Sequence, residues 1–300
     1  MEPVLADLRL LLATPDRDSG WNYDRRTSMP RYNVEKRTIA QWLAAAHTAH
    51  LHMGDAAAAD ADLTALLQLA AWHDEDFTLV SQMFRSALGS LAGACTWSAL
   101  QATNLTAPQL AAYQARWEKL TLLPATTAAL QFERVWMDDL FVQLRNGTVS
   151  YSSVMGTGAV GWDKAGEQAM ALAWRASMAE ADELFYLRYM QGHIDALRQL
   201  GKTRSWAVAA PRFATNSAQL SVLYTWPGRL MILSGMAAPN MDRIFTTLHR
   251  YEAEREMTIT ALALERFRLR HRRYPAALAD LVPEFVAAVP VDWLDGKPLR

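Results

Sequence analysis

Residues 77–95 read Phe-Thr-Leu-Val-Ser-Gln-Met-Phe-Arg-Ser-Ala-Leu-Gly-Ser-Leu-Ala-Gly-Ala-Cys, and Phe77, Val80, Phe84, Leu88, Leu91 and Cys95 recur at steps of three and four. That spacing keeps returning to one side of an α-helix, so it predicts a helix with one stripe against a core. Cys95 lies on the stripe and reads as a small buried hydrophobe, because no basic side chain nearby in sequence would favour a thiolate.

Working outward, the pattern from Arg37 to Met53 is helical, Gly54-Asp55 interrupts it, and Ala57 to Trp72 supplies a second helix. So short a break makes an antiparallel hairpin. Asp74, Glu75 and Asp76 would cap the next N-terminus. Thr106-Ala107-Pro108-Gln109 has the form of a capping box with proline in the first turn, opening a helix to about Leu120. Phe132, Trp136, Leu140 and Leu144 mark another, closed by Asn146-Gly147. Spacing from Met170 through Trp174, Met178 and Phe185 to Leu197 predicts one long helix ending at Gly201. Pro211, Pro227 and Pro239 cut the stretch that follows into short pieces. A last long helix runs from Met241 to about His271, stopped by Tyr274-Pro275.

The fold expected is therefore all-α, an array of antiparallel helical hairpins with a short irregular C-terminal appendage. Its organisation is an extended segment over 1–36, the helical array over 37–271 and the appendage over 272–300. The pair from Trp42 to Trp72 resembles a tetratricopeptide-type unit, with a glycine near the turn and small alanines that let the helices approach.

Composition narrows the function classes. In 300 residues, 51% hydrophobic against 20% charged supports a real core and excludes wholesale disorder. Gly 14 and Pro 12 are few for this length, which favours long helices. Lys+Arg 30 against Asp+Glu 31 leaves a net charge of -1, without the excess a nucleic-acid binder carries. The single cysteine excludes an intrachain disulfide and a multi-thiolate metal site. The start, Met1-Glu2-Pro3-Val4-Leu5-Ala6-Asp7, lacks the basic and apolar regions of a signal peptide. No uninterrupted apolar run is long enough for a membrane span.

Four groupings bear on chemistry. Gly156-Thr157-Gly158-Ala159-Val160-Gly161 matches G-x-G-x-x-G, but the second strand and acidic residue of a dinucleotide site do not follow. Gly201-Lys202-Thr203 ends like a P-loop, yet Ala196 stands where its first glycine belongs. Arg266, Arg268, Arg270, Arg272 and Arg273 read as a solvated face paired with Glu252, Glu254, Glu256 and Glu265. The densest set of potential ligands is His47, His50, His52, Asp55, His73, Asp74 and Asp76. A metal-dependent hydrolase built there would use His47 and His50 with Asp60, which an antiparallel hairpin turning at Gly54 brings near His50. No H-E-x-x-H, E-x-x-H or G-x-S-x-G occurs.

Near the C-terminus, Ala261 to Pro275 is followed by Leu281-Val282-Pro283, Val289-Pro290-Val291-Asp292-Trp293 and Asp295-Gly296-Lys297-Pro298-Leu299. This ending resembles the long helix and following part of the type II secretion major pseudopilin. It is closer still to a group of uncharacterised bacterial envelope-associated helical proteins, to which Trp21-Asn22-Tyr23 is also similar. The resemblance implies a place at the cell envelope or in the periplasm. In pseudopilins the aspartates of the last loop hold calcium, and Asp292 and Asp295 match them.

Taken together, these readings give a non-enzymatic scaffold or protein-interaction module, with a protein partner, no nucleic acid, no cofactor and no membrane span of its own. The metal-dependent hydrolase is the alternative. The prolines of the tail, with Tyr274, Leu278, Leu281, Phe285 and Trp293 as apolar anchors, predict that 274–299 docks onto the helical body.

Overall fold

The computed structural model describes residues 2–14, 32–72, 77–102, 105–150, 153–154, 164–238 and 241–300. Among them the chain is all-helical, apart from 3-10 turns and an isolated antiparallel bridge between Val291 and Pro298. The helices are α1 (Glu2–Ala13), α2 (Tyr32–Met53), α3 (Ala56–Ala71), α4 (Leu79–Gln101), α5 (Ala107–Lys119), α6 (Leu123–Asn146), α7 (Lys164–Ser177), α8 (Ala179–Thr203), α9 (Trp206–Ala218), α10 (Ile232–Ala237) and α11 (Met241–His271). The chain forms two compact units, the first Met1–Thr126, Arg204–Trp206 and Thr246–Arg300, the second Thr127–Thr203 and Ala207–Phe245. The division falls inside the expected 37–271 body.

Local chemistry sets the helix starts. Gly54 has φ +75°, where a side chain would be strained, and Asp55 then accepts a hydrogen bond from Ala58 N at 3.0 Å to cap α3. Thr78 caps α4 through Ser81 N at 3.2 Å. Asp74, Glu75 and Asp76, expected there, lie outside the described residues. Gln109 Oε1 accepts from Thr106 N at 3.0 Å, the reciprocal half of the box read from sequence. α6 is capped from a distance: Thr121 Oγ1, Leu122 N and Leu123 N all donate to Glu252 Oε1.

In the first unit α2, α3 and α4 pack on one another and α1 packs on α3. Its core includes Leu43, Leu63, Leu66, Leu88, Tyr113 and Leu262. Residues 1–36, expected to be extended, contain α1 instead. Leu5, Leu8 and Leu12 lie at helical spacing, Pro3 suits a first turn, and burial of Leu5 and Leu12 rewards the helix. On α4 the buried positions include Leu79, Gln82, Arg85, Leu88, Ala92, Cys95 and Ala99, while Phe77 is exposed. Of the predicted stripe, Leu88 and Cys95 are buried and Val80, Phe84 and Leu91 are half-buried, so the face against the core is turned partly away from the aromatic positions. The tail packs: Leu281, Phe285, Val286 and Trp293 are buried, Gln114 Nε2 donates to Phe285 O at 2.7 Å, and Trp206 N donates to Trp293 O at 2.8 Å. Tyr274, expected as an anchor, is exposed.

In the second unit the predicted long helix breaks at Met178 into α7 and α8. Buried Asp182, at the start of α8, accepts from Trp174 Nε1 at 3.0 Å, Leu233 N at 3.1 Å and Ser234 N at 3.0 Å. It ties α7 to the start of α10 and favours the break over a straight helix. Burial pushes its carboxyl upward against these hydrogen bonds. No helix among the described residues is long and apolar enough to cross a membrane.

Candidate functional site

The histidine-rich pair α2–α3 is bonded inward. His47 is buried, with Nδ1 2.8 Å from Ala59 O and Nε2 3.1 Å from Cys95 O, so its ring joins α2 to α3 and α4. A ring with one N–H donates to only one of these carbonyls at a time. His50 Nδ1 lies 2.7 Å from Oδ2 of Asp62. Asp62 is fully buried, and its Oδ1 accepts from Arg9 Nε at 2.8 Å and Nη2 at 2.5 Å. Asp60, expected near His50, accepts instead from the Tyr113 hydroxyl of α5. Burial and this bond push the phenol well above its ordinary range.

The three residues singled out for a metal therefore have no hydrogen-bond partner in common. His47 and Asp60 share the lining of a cavity of about 60 Å³ with Gln109 and Tyr113. Among the described residues no group of three or more His, Cys, Asp or Glu is placed to hold a metal ion. His52 and Asp55 are exposed, Asp55 serving as the α3 cap, and His73, Asp74 and Asp76 lie outside the described residues. Burial, with the nearby Asp62 charge, pushes the Cys95 thiol up to about 11, which suppresses the reactive thiolate.

The other groups are also paired with neighbours, most of them at the surface. Asp292 Oδ1 accepts from Leu294 N at 2.8 Å, and Asp295 Oδ1 from Lys297 N at 2.9 Å. The Lys297 backbone bond, with the charges of Arg300 and Lys297, holds the Asp295 carboxyl below its usual range. In the arginine cluster, Arg268 pairs with Glu265 at 2.8 Å, Arg270 with Glu284, and Arg266 donates to Gln114 at 2.7 Å while lying over the Phe285 ring. Gly201-Lys202-Thr203 closes α8, and Gly156 to Gly161 lie outside the described residues.

A cleft of about 190 Å³ is formed in the first unit by α4, α5 and α11. Its lining includes Gly89, Gly93, Trp97, Trp117, Tyr251 and Arg255. A Cβ at residue 89 would lie 2.3 Å from Tyr251 Cε2, so glycine there lets α4 and α11 meet. At residue 93 it would sit 3.7 Å from Trp117 Cη2, an ordinary contact, so glycine there leaves space open rather than relieving a clash. Trp117 donates to Thr96 Oγ1 at 3.1 Å and Tyr251 to Leu120 O at 2.8 Å, which fixes both rings. Arg255 is held by Glu252 Oε2 at 2.8 Å, and Ser90 donates to Glu254 at 3.0 Å. Trp97 is 44% exposed at the edge.

These groups supply a rigid aromatic floor, a neutralised guanidinium and a short polar rim. They suit docking of an apolar side chain next to a backbone polar group. The signal that finds the cleft is Gly89, Gly93 and Trp97 at a spacing of four, on one face of α4. No family model matches the chain, and no curated protein or solved structure matches it.

Proposed function

We propose that the protein is a non-enzymatic protein-interaction module of the bacterial cell envelope, and that the α4–α5–α11 cleft receives an apolar anchor residue of its partner. The cleft carries this reading. At about 190 Å³ it is smaller than the roughly 300 Å³ at which small-molecule pockets begin, and it matches one large side chain. Recognition by aromatic anchors in preformed pockets is how protein interfaces concentrate binding energy. The inward bonding of His47, His50, Asp60 and Asp62 further supports a structural use of the ionisable groups. Placement at the envelope rests on the resemblance of the C-terminal segment, and the array of tetratricopeptide-like hairpins is part of the same proposal.

The test is photo-crosslinking in the producing cell, followed by fractionation. A photoreactive residue at position 97 yields a discrete protein adduct in the envelope fraction, whereas the same group at exposed position 34 of α2 does not. Adducts of equal yield from both positions, or adducts confined to the cytosol, contradict the proposal.

A further inference from the structure

In the second unit, α8, α9 and the start of α11 close over an ionisable side chain that makes no hydrogen bond. His193 of α8 is 0% exposed. Its ring meets Tyr189 at 4.5 Å, nearly perpendicular, and lies 4.8 Å from Phe245 of α11 and 6.1 Å from Phe213 of α9. Phe213 and Phe245 stack on each other at 4.3 Å. Neither ring nitrogen of His193 has a hydrogen-bond partner among the described residues, so the cage offers an imidazolium no acceptor. α9 is the shortest of the three walls, 13 residues against 25 in α8 and 31 in α11. Its buried residues are Ala209, Phe213 and Asn216, and Pro211 inside the helix cannot donate a backbone bond. Asn216 Nδ2 ties it to α8 by donating to Tyr189 O at 2.7 Å. A Cβ at residue 192 would sit 2.2 Å from Asn216 Oδ1, so glycine there lets α8 and α9 approach.

We infer that His193 is an acid-operated latch: protonation of its ring releases α9 from α8 and exposes the aromatic face formed by Tyr189, Phe213 and Phe245. A neutral imidazole is buried here at modest cost, whereas an imidazolium gives up its water shell with no carboxylate or carbonyl in exchange. The faces of the surrounding rings attract a cation, but by less than the hydration it loses. Of the charged groups on the three walls, Asp242 in the first turn of α11 is the one whose charge reaches the ring, and it favours the proton while accepting a hydrogen bond from Ser217 Oγ. Arg188 and Arg198 of α8, Arg212 of α9 and Arg243 of α11 are exposed, and Asp195 pairs with Arg198 at 3.2 Å. The Tyr189 phenol, pushed up to about 12 by burial, stays neutral throughout. Burial outweighs Asp242 and pushes the ring of His193 down to about 4, against 6.5 for a ring in water. The closed form therefore binds the proton more weakly than the open one, and the open fraction rises as pH falls from about 6.5 toward 4. Between pH 7 and pH 5 the rise is about twentyfold.

Amide hydrogen exchange of the full chain at pH 7 and pH 5, corrected for the intrinsic exchange rate and read segment by segment, tests this. In the parent, protection over 207–218 falls about twentyfold at pH 5, while α2, α3 and α4 keep theirs. His193→Phe keeps a ring in the cage and His193→Gln keeps a polar group there, and neither takes up a proton in this range. Each is first shown by circular dichroism to be helical, and in whichever folds the acid response of α9 is lost. Protection over 207–218 that is absent already at pH 7, that is unchanged at pH 5, or that falls equally in a folded variant overturns the inference. A fall of one size across the whole second unit overturns it as well, since that reports global unfolding rather than release of α9. None of these outcomes depends on the cleft.

Discussion

Oε1 of Glu252 lies 2.7 Å from the backbone nitrogen of Leu122, 130 residues earlier in the chain. The same oxygen receives Thr121 Oγ1 and Leu123 N, and Oε2 holds Arg255 Nε at 2.8 Å. One fully buried carboxylate thus caps α6 and positions the arginine of the cleft. Glu252→Ala strands three donors and removes one partner of the half-buried Arg255, so it costs about 3–5 kcal/mol in urea unfolding. Glu252→Gln keeps an acceptor for the helix start and loses less.

His193 gives the second unit a sign-definite pH response. It is fully buried against the rings of Tyr189, Phe213 and Phe245, and neither ring nitrogen has a hydrogen-bond partner among the described residues. Burial pushes its pKa down to about 4 from an ordinary 6.5, opposed by the charge of Asp242. Because the folded state binds this proton more weakly than the unfolded chain, His193 withdraws stability as pH falls from about 6.5 to about 4. The loss reaches about 3 kcal/mol. Denaturant unfolding at pH 7 and pH 5 shows it, and His193→Phe flattens that dependence.

Deleting everything after Arg273 lowers the unfolding midpoint, because Leu281, Phe285 and Val286 belong to the core of the first unit. Trp293→Ala alone, at a position only 5% exposed, costs about 3–5 kcal/mol. A shortened protein with an unchanged midpoint would show that the tail carries no stability.

Chelation leaves the melting temperature unchanged, whereas His47→Ala and His50→Ala each lower stability by about 1–3 kcal/mol, through the Ala59 and Cys95 carbonyls and through Asp62 respectively. A midpoint that falls on chelation, and no longer does so after either substitution, would favour a metal-dependent hydrolase.

Periodicity and local caps made much of the helical content readable: the Gly54-Asp55 break, the Thr106 box and the span of α11 follow from residues within a few positions of one another. The partner of His50 did not, for a reason of direction. Helical side chains lean toward the helix N-terminus, so on α2 His50 leans away from the turn while α3 side chains lean toward it. Both tilts move its partner from Asp60 to Asp62. α1 was legible in Leu5, Leu8 and Leu12 but short enough to pass for extended chain. The Glu252 cap, the Asp182 tie and the cleft are contacts between segments far apart in sequence, and only α4's share of the cleft, Gly89, Gly93 and Trp97, shows a local pattern.

Occlusion of the cleft is the most direct measurement of the proposed role. Gly93→Leu places a side chain in the space beside Trp117, while Gly93→Ala fits at ordinary contact distance. Crosslink yield from position 97 is compared across the parent and both variants, each first shown by circular dichroism to be helical. Loss of the discrete envelope adduct in Gly93→Leu, with its retention in Gly93→Ala, is the predicted result; an adduct of undiminished yield in Gly93→Leu would contradict a partner docked in this cleft.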